Sequence, residues 1–164
     1  MSIDGVEQRL LTAVGSSSTE ELGVLNRRDF LRYALAAADD DYVATTEHVP
    51  LDERAAAPVM FLPGILHWTA GPHERELRAD GLAARDAPGV TDEDVNVMHG
   101  GQRIEFHQRA IEGMRVVARR ELCTVDRKQG RGGDFLVVVN HTRFLDEAET
   151  LLATVDDTIL VLGR

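Results

Sequence analysis

Apolar residues recur at helical spacing from the start of the chain. Val6, Leu10 and Val14 lie four apart, which predicts a short amphipathic helix over residues 3–14. The run from Gly15 to Gly23 has no such period and predicts a break, with Ser18 and Glu21 spaced as a capping box. A second helix is predicted from Asn26, a favourable N-cap, with Asp29 near the positive end of the helix dipole. Its apolar face is Phe30, Leu31, Ala34, Leu35 and Ala38. It is expected to end in Asp39, Asp40 and Asp41, because acids at a helix C-terminus oppose the dipole. Residues 42–57 predict an irregular connection. Residues 58–70 are the most apolar part of the first half, and proline in a first turn predicts a helix from Pro63. Residues 71–98 are polar and acidic and are expected to form a long lid or loop.

From residue 99 the period shortens. Residues 101–108 predict a short strand, with a turn at Gly113. Residues 114–125, 135–145 and 150–162 predict three long strands, the last broken at Asp156 and Asp157. Short turns, one of them the glycine-rich stretch 126–134, join them into an antiparallel meander. Helices first and strands second predict an α+β fold.

The length of 164 residues suits a single domain over 1–164, with residues 1–26 as an N-terminal extension. Nothing approaches the ~18 consecutive apolar residues of a membrane span. The longest uncharged apolar run, Ala55 to Ala70, is broken by Pro58, Pro63 and Gly64. The N-terminus lacks the basic-then-apolar pattern of a signal peptide, so a cytoplasmic protein is expected. Cys123 is the sole cysteine and reads as a small buried hydrophobe. Charge is asymmetric. Residues 1–98 carry 18 acids against 8 Lys/Arg, and residues 99–164 carry 10 of each. The net charge of −10 argues against nucleic-acid and anionic-membrane partners, which need clustered cations.

The six histidines form no HxxxH, HxH or HExxH pair, so no metal is expected. Asp39, Asp40 and Asp41 are candidate acid–base residues, with a solvated helix terminus as the plainer reading. No GxSxG, P-loop or GxGxxG occurs. The GRGG of residues 130–133 reads as a hairpin turn. Asn140-His141-Thr142 spells a glycosylation sequon, but within a predicted strand it reads as accidental.

Residues 99–144 resemble the MaoC-like, FAS1-type dehydratases. That family has a Pro-Leu-x-x-Gly-Asp turn, matched loosely here by Arg109 to Met114, with alanine for proline and methionine for aspartate. Its K-x-G-x-x-G hairpin is matched by Lys128, Gly130 and Gly133. Upstream, DFLRYALAAADDD resembles the family's Tyr-Ala-x-Ala-x-Gly-Asp helix end, and AAPVMFLPGI resembles the segment leading into its central helix. The resemblance spans roughly residues 27–162. It implies a hot-dog fold, an antiparallel sheet wrapped around a central helix. It also implies hydration of a 2-enoyl thioester, or dehydration of a 3-hydroxyacyl thioester, carried on coenzyme A or acyl carrier protein, with no further cofactor. In the family an Asp and a His handle the proton and the water, while backbone N–H groups hold the thioester oxygen.

The catalytic pattern Gly-Asp-x-Asn-Pro-(Leu/Ile)-His departs here. Five residues after Asp39, Asp40 and Asp41 stand Ala44, Thr45 and Thr46, and the nearest histidine is His48. The resemblance therefore implies the half of an (R)-specific hydratase that lacks the dyad. Such a chain would shape the acyl pocket as a homodimer or with a dyad-bearing partner, since a lone hot dog leaves sheet edges open. Two alternatives stay open: an autonomous hydratase or thioesterase using an Asp of the 39–41 cluster, and a non-enzymatic acyl-CoA-binding module. His67, Trp68, His99, Gly100 and Gly101 are the candidate substrate-binding residues.

Overall fold

The computed structural model describes residues 3–65, 73–77, 90 and 95–163. Helix α1 (Ile3–Ala13) leads into strand β1 (Ser17–Val24), followed by α2 (Arg27–Ala36), α3 (Asp40–Glu47) and the single turn α4 (Phe61–Gly64). Four long strands complete the chain: β2 (Val95–Phe106), β3 (Arg115–Gly130), β4 (Gly133–Asp146) and β5 (Leu151–Gly163). With β1 they form one five-stranded sheet in the order β1-β3-β4-β5-β2, and every pairing is antiparallel. The fold is the expected α+β hot dog, with helices laid on one face of an antiparallel sheet.

Several sequence expectations change. Residues 15–23 do not simply break the chain. Most of them form β1, because β3 offers an unpaired edge on which even a weakly alternating segment finds hydrogen-bond partners. The first 26 residues thus supply a helix and an edge strand. The three acids do not end α2. It stops at Ala36, and the acids open α3 instead, where carboxylates favour the positive end of the dipole. Residues 42–57 are accordingly not all irregular. The helix expected from Pro63 begins two residues earlier, at Phe61, and residues 66–72 lie outside the described residues. Within 71–98, residues 74–76 make a turn of 3-10 helix and β2 already begins at Val95. The glycine-rich turn shrinks to Arg131 and Gly132, and β5 runs unbroken through Asp156 and Asp157.

Alternation along the strands gives the sheet one covered face. At one end α2 and α4 bury Phe30, Phe61 and Leu62 with Val116, Ala118, Phe144 and Ala153. At the other, α1 buries Val6 and Leu10 with Leu122, Leu136, Val138 and Val161. Each fully buried side chain of this size contributes roughly 1.5–3 kcal/mol. Between the clusters the same face carries polar residues, Arg120, Thr142, Asn140 and Asp157. Leu35, placed on the apolar face of α2 by its spacing, is 61% exposed. No helix among the described residues is long and apolar enough to cross a membrane.

Candidate functional site

The α2–α3 elbow and the β2–β3 loop face each other across a groove. Asn26 caps α2, its side-chain oxygen accepting from Asp29 N at 3.0 Å. After Ala37 the chain turns through Ala38 at φ 54°, a left-handed conformation that a non-glycine residue adopts at a cost. Ala38 stands where the dehydratase pattern has glycine, the residue best suited to this conformation. Ala38→Gly is expected to stabilise the protein by about 0.5 kcal/mol, because relief of strain exceeds the added chain entropy. A denaturant midpoint shifted upward would show it.

Asp39 then caps α3, Oδ1 accepting from Tyr42 N at 3.0 Å. Two tyrosines tie this elbow to the segment before α4. Tyr33 Oη donates to Met60 O at 2.9 Å and Tyr42 Oη donates to Ala56 O at 2.6 Å. Desolvation raises the pKa of both phenols, so both remain donors through neutral pH.

The opposite wall is Arg109 and its neighbours. Their backbone is fixed on both sides: Ala57 N donates to Ala110 O and Glu112 N to Ala55 O, each at 2.8 Å. The N–H groups of His107 and Gln108 both reach Leu152 O. The groove has three adjoining hollows. One, of about 380 Å³, is walled by Ala57, Pro58, Leu62, Phe106 and Leu152. A second, of about 560 Å³, includes Tyr33, Asp39, Tyr42 and Met60. The third, of about 360 Å³, includes Asp41, Tyr42, Thr46 and Ala55. Arg109 borders all three. It is exposed, and among the described residues it makes no hydrogen bond or ion pair. The arrangement is a partly apolar groove with Arg109 at the junction of its three hollows.

The sequence-nominated residues fall in different places. Asp39 and Asp41 border the groove, and all three acids are exposed. His48 ends α3, about 13 Å of helix rise from Asp39. Ala44, about one helical turn nearer, has no titratable group. Among the described residues, no Asp–His dyad therefore forms at the elbow. His67 and Trp68 lie outside the described residues.

His99, Gly100 and Gly101, expected to precede a strand, sit inside β2, because strand pairing with β5 begins at Val95. They form a bulge there, and Gly101 has φ 136°, a backbone that favours glycine. His99 Nε2 lies 3.0 Å from Asp157 Oδ1 on the covered face. Another Asp–His contact, His141 Nδ1 to Asp156 Oδ1 at 2.6 Å, lies on the opposite face. Burial raises the Cys123 thiol pKa, so little thiolate exists at neutral pH. Asn140 is fully buried, which agrees with reading its sequon as accidental.

Sequence reasoning does not single out Arg109, Tyr33 or Tyr42. The tyrosines are legible only as part of the helix-end motif. Arg109 carries no signal beyond its place at the start of the loose turn pattern. Among the described residues no group of three or more His, Cys, Asp or Glu is placed to hold a metal ion.

Comparison with known proteins gives a consistent picture. Residues 13–155 match the model of the FAS1-like, dehydratase domain region. No curated protein sequence matches the chain significantly. Among solved structures, the ChsH1-ChsH2 complex from Mycobacterium tuberculosis is similar at a TM-score of 0.69 and 15% identity, over 99% of this chain and 94% of that one. The HadBC (3R)-hydroxyacyl-ACP dehydratase complex from the same organism is similar at a TM-score of 0.60 and 16% identity, over 90% and 96%. The (R)-hydratase from A. caviae involved in PHA biosynthesis gives 0.58 and 15%, over 89% and 94%. At these identities the structural likeness speaks for the fold.

Proposed function

The chain belongs to the FAS1-like dehydratase region family, and on that premise we propose that it is the dyad-lacking subunit of a heteromeric (R)-specific enoyl-thioester hydratase or 3-hydroxyacyl-thioester dehydratase. The observation that carries this reading is the α2–α3 elbow. There a left-handed residue precedes Asp39, Asp39 works as a helix cap, and Ala44 stands where the family pattern has its histidine. The groove is present, but no histidine stands at the family's spacing from Asp39. Two of the similar structures are complexes of unlike subunits. Among the described residues no strand pairs with the outer edge of β2, where Met98 and Phe106 are about half exposed, and this edge suits a partner strand.

In this reading the partner's Asp and His take a proton from water as its oxygen bonds to C3 and deliver a proton to C2 of the enoyl thioester, or reverse both steps. This chain lines the acyl channel through Ala57, Leu62, Phe106 and Leu152, and Arg109 meets the anionic phosphopantetheine carrier. The purified chain alone is expected to hydrate crotonyl-CoA negligibly. Mixed with a MaoC-like subunit bearing the dyad, the rate should rise by at least ~10²-fold, the lower end of acid–base catalysis. Full activity in the isolated chain would overturn the proposal. Arg109→Ala should weaken acyl-CoA binding about 10–100-fold, the worth of one charge-assisted hydrogen bond. Titration calorimetry measures this, and unchanged affinity would remove Arg109 from the site.

One second reading has an observation of its own. Asp39 and Arg109 border the same hollow, an arrangement open to a thioesterase that uses one carboxylate and a water. Thiol release from acyl-CoA by the isolated chain, abolished in Asp39→Ala, would put that reading first.

A further inference from the structure

The covered face of the sheet is not apolar throughout. Across its middle, the register aligns Leu122, Asn140, Asp157 and Gln102 in one row and Arg120, Thr142, Val155 and Ile104 in the next. Asp157 is already committed. It accepts from Gln102 Nε2 at 3.2 Å, contacts His99 at 3.0 Å and pairs with Arg120 at 3.6 Å. Arg120 and Asp157 are 10% and 17% exposed, so their charges offset each other within the protein.

Asn140 is different. It is 0% exposed, and among the described residues neither its Nδ2 nor its Oδ1 has a hydrogen-bond partner. An amide buried without partners is destabilising, so a residue of this kind in a sheet centre needs a reason. Asn140 lines a cavity of about 120 Å³ together with Ser16, Ser17, Ser18, Arg120 and Leu122. The serines are exposed and give the cavity a mouth at the β1 edge. Asp157, four residues along β5 from Ala153 in the Arg109 groove, lies about 13 Å from that groove.

We infer that the Asn140 cavity is a second binding subsite, one that takes a small neutral group able both to donate and to accept, such as a carboxamide or a hydroxyl. Asn140 presents a donor and an acceptor side by side, and a ligand that meets both must carry the complementary pair. The serine hydroxyls adapt to either role. A carboxylate fits poorly, since it meets Nδ2 but leaves Oδ1 without a donor. This inference goes beyond the thioester reading and does not depend on it.

The test uses the full ¹⁵N-labelled chain and follows the Asn140 side-chain amide by NMR. Acetamide and ethane-1,2-diol are the neutral probes and acetate the charged control. The expected result is a saturable shift with at least one neutral probe and none with acetate. No saturable shift with any probe, or a stronger response to acetate, overturns the inference. Asn140→Leu, close in volume, supplies an independent readout. It should raise the Tm by about 3–6 °C, because an amide kept for a ligand is costly in the free protein. A lower Tm would mean that Asn140 is already satisfied by structural water, and would also overturn it.

Discussion

Replacing Arg27 with leucine is expected to destabilise the protein by about 3 kcal/mol and to loosen the wall that carries Arg109. Arg27 opens α2 with a side chain only 14% exposed. Its guanidinium donates to Val49 O at 2.7 Å, to Glu53 O at 2.6 Å and to Pro50 O at 3.3 Å, fastening the loop after α3. The same group meets Glu112 Oε2 through Nε at 3.1 Å and Nη2 at 2.9 Å. Glu112 also accepts from Ala55 N at 3.2 Å. One ion pair thus joins α2, the 49–55 loop and the turn just past Arg109. Leucine leaves three carbonyls and a carboxylate short of their donor. Urea denaturation measures the loss, and a change below about 1 kcal/mol would show that the loop is held by something else.

The same pair makes stability depend on pH. Desolvation raises the Glu112 pKa, but the Ala55 N–H and the Arg27 guanidinium outweigh it and hold the carboxyl below its ordinary 4.5. A carboxyl whose pKa is depressed by folding stabilises above its unfolded value and loses that stabilisation as pH falls through the folded one. Acid sensitivity is therefore expected below about pH 4.5, and Glu112→Gln should flatten it.

Phe61→Ala is expected to cost about 3–5 kcal/mol, the usual range for emptying a buried phenylalanine site. Phe61 is 2% exposed. Its ring meets Phe30 edge-on at 4.8 Å and Tyr33 at 5.5 Å. Loss of Phe61 removes the support of Tyr33, whose hydroxyl fixes Met60 on the groove. Binding of acyl-CoA should weaken along with stability. A variant that loses stability but keeps its affinity would separate the core from the groove.

These residues differ in how visible they are beforehand. The α2 helix is legible from Asn26, Asp29, Phe30 and Ala34, all of which act as their spacing suggests. The last three strands are legible from their β-branched runs. The elbow is not. Acids are consistent with a helix end or a helix start, and only the turn at Ala38 decides which. β1 is hidden for another reason: its residues lack clean alternation, and it is a strand because β3 is beside it. Asp156 and Asp157 look like an interruption of β5, yet each has a partner on its own face of the sheet.

Sequence alone determined the class of fold, the family likeness and the loss of the Asp–His pattern, because these rest on local periodicity and on residues close together in the chain. Tertiary structure alone decided that Arg109 faces Asp39 and Tyr42 across a groove, that Arg27 clasps Glu112 over 85 residues, and that Asn140 is buried without a hydrogen-bond partner among the described residues. The physical reason is the same in each case. Burial and partnership depend on which distant segments the sheet register brings together, and no local pattern encodes that register.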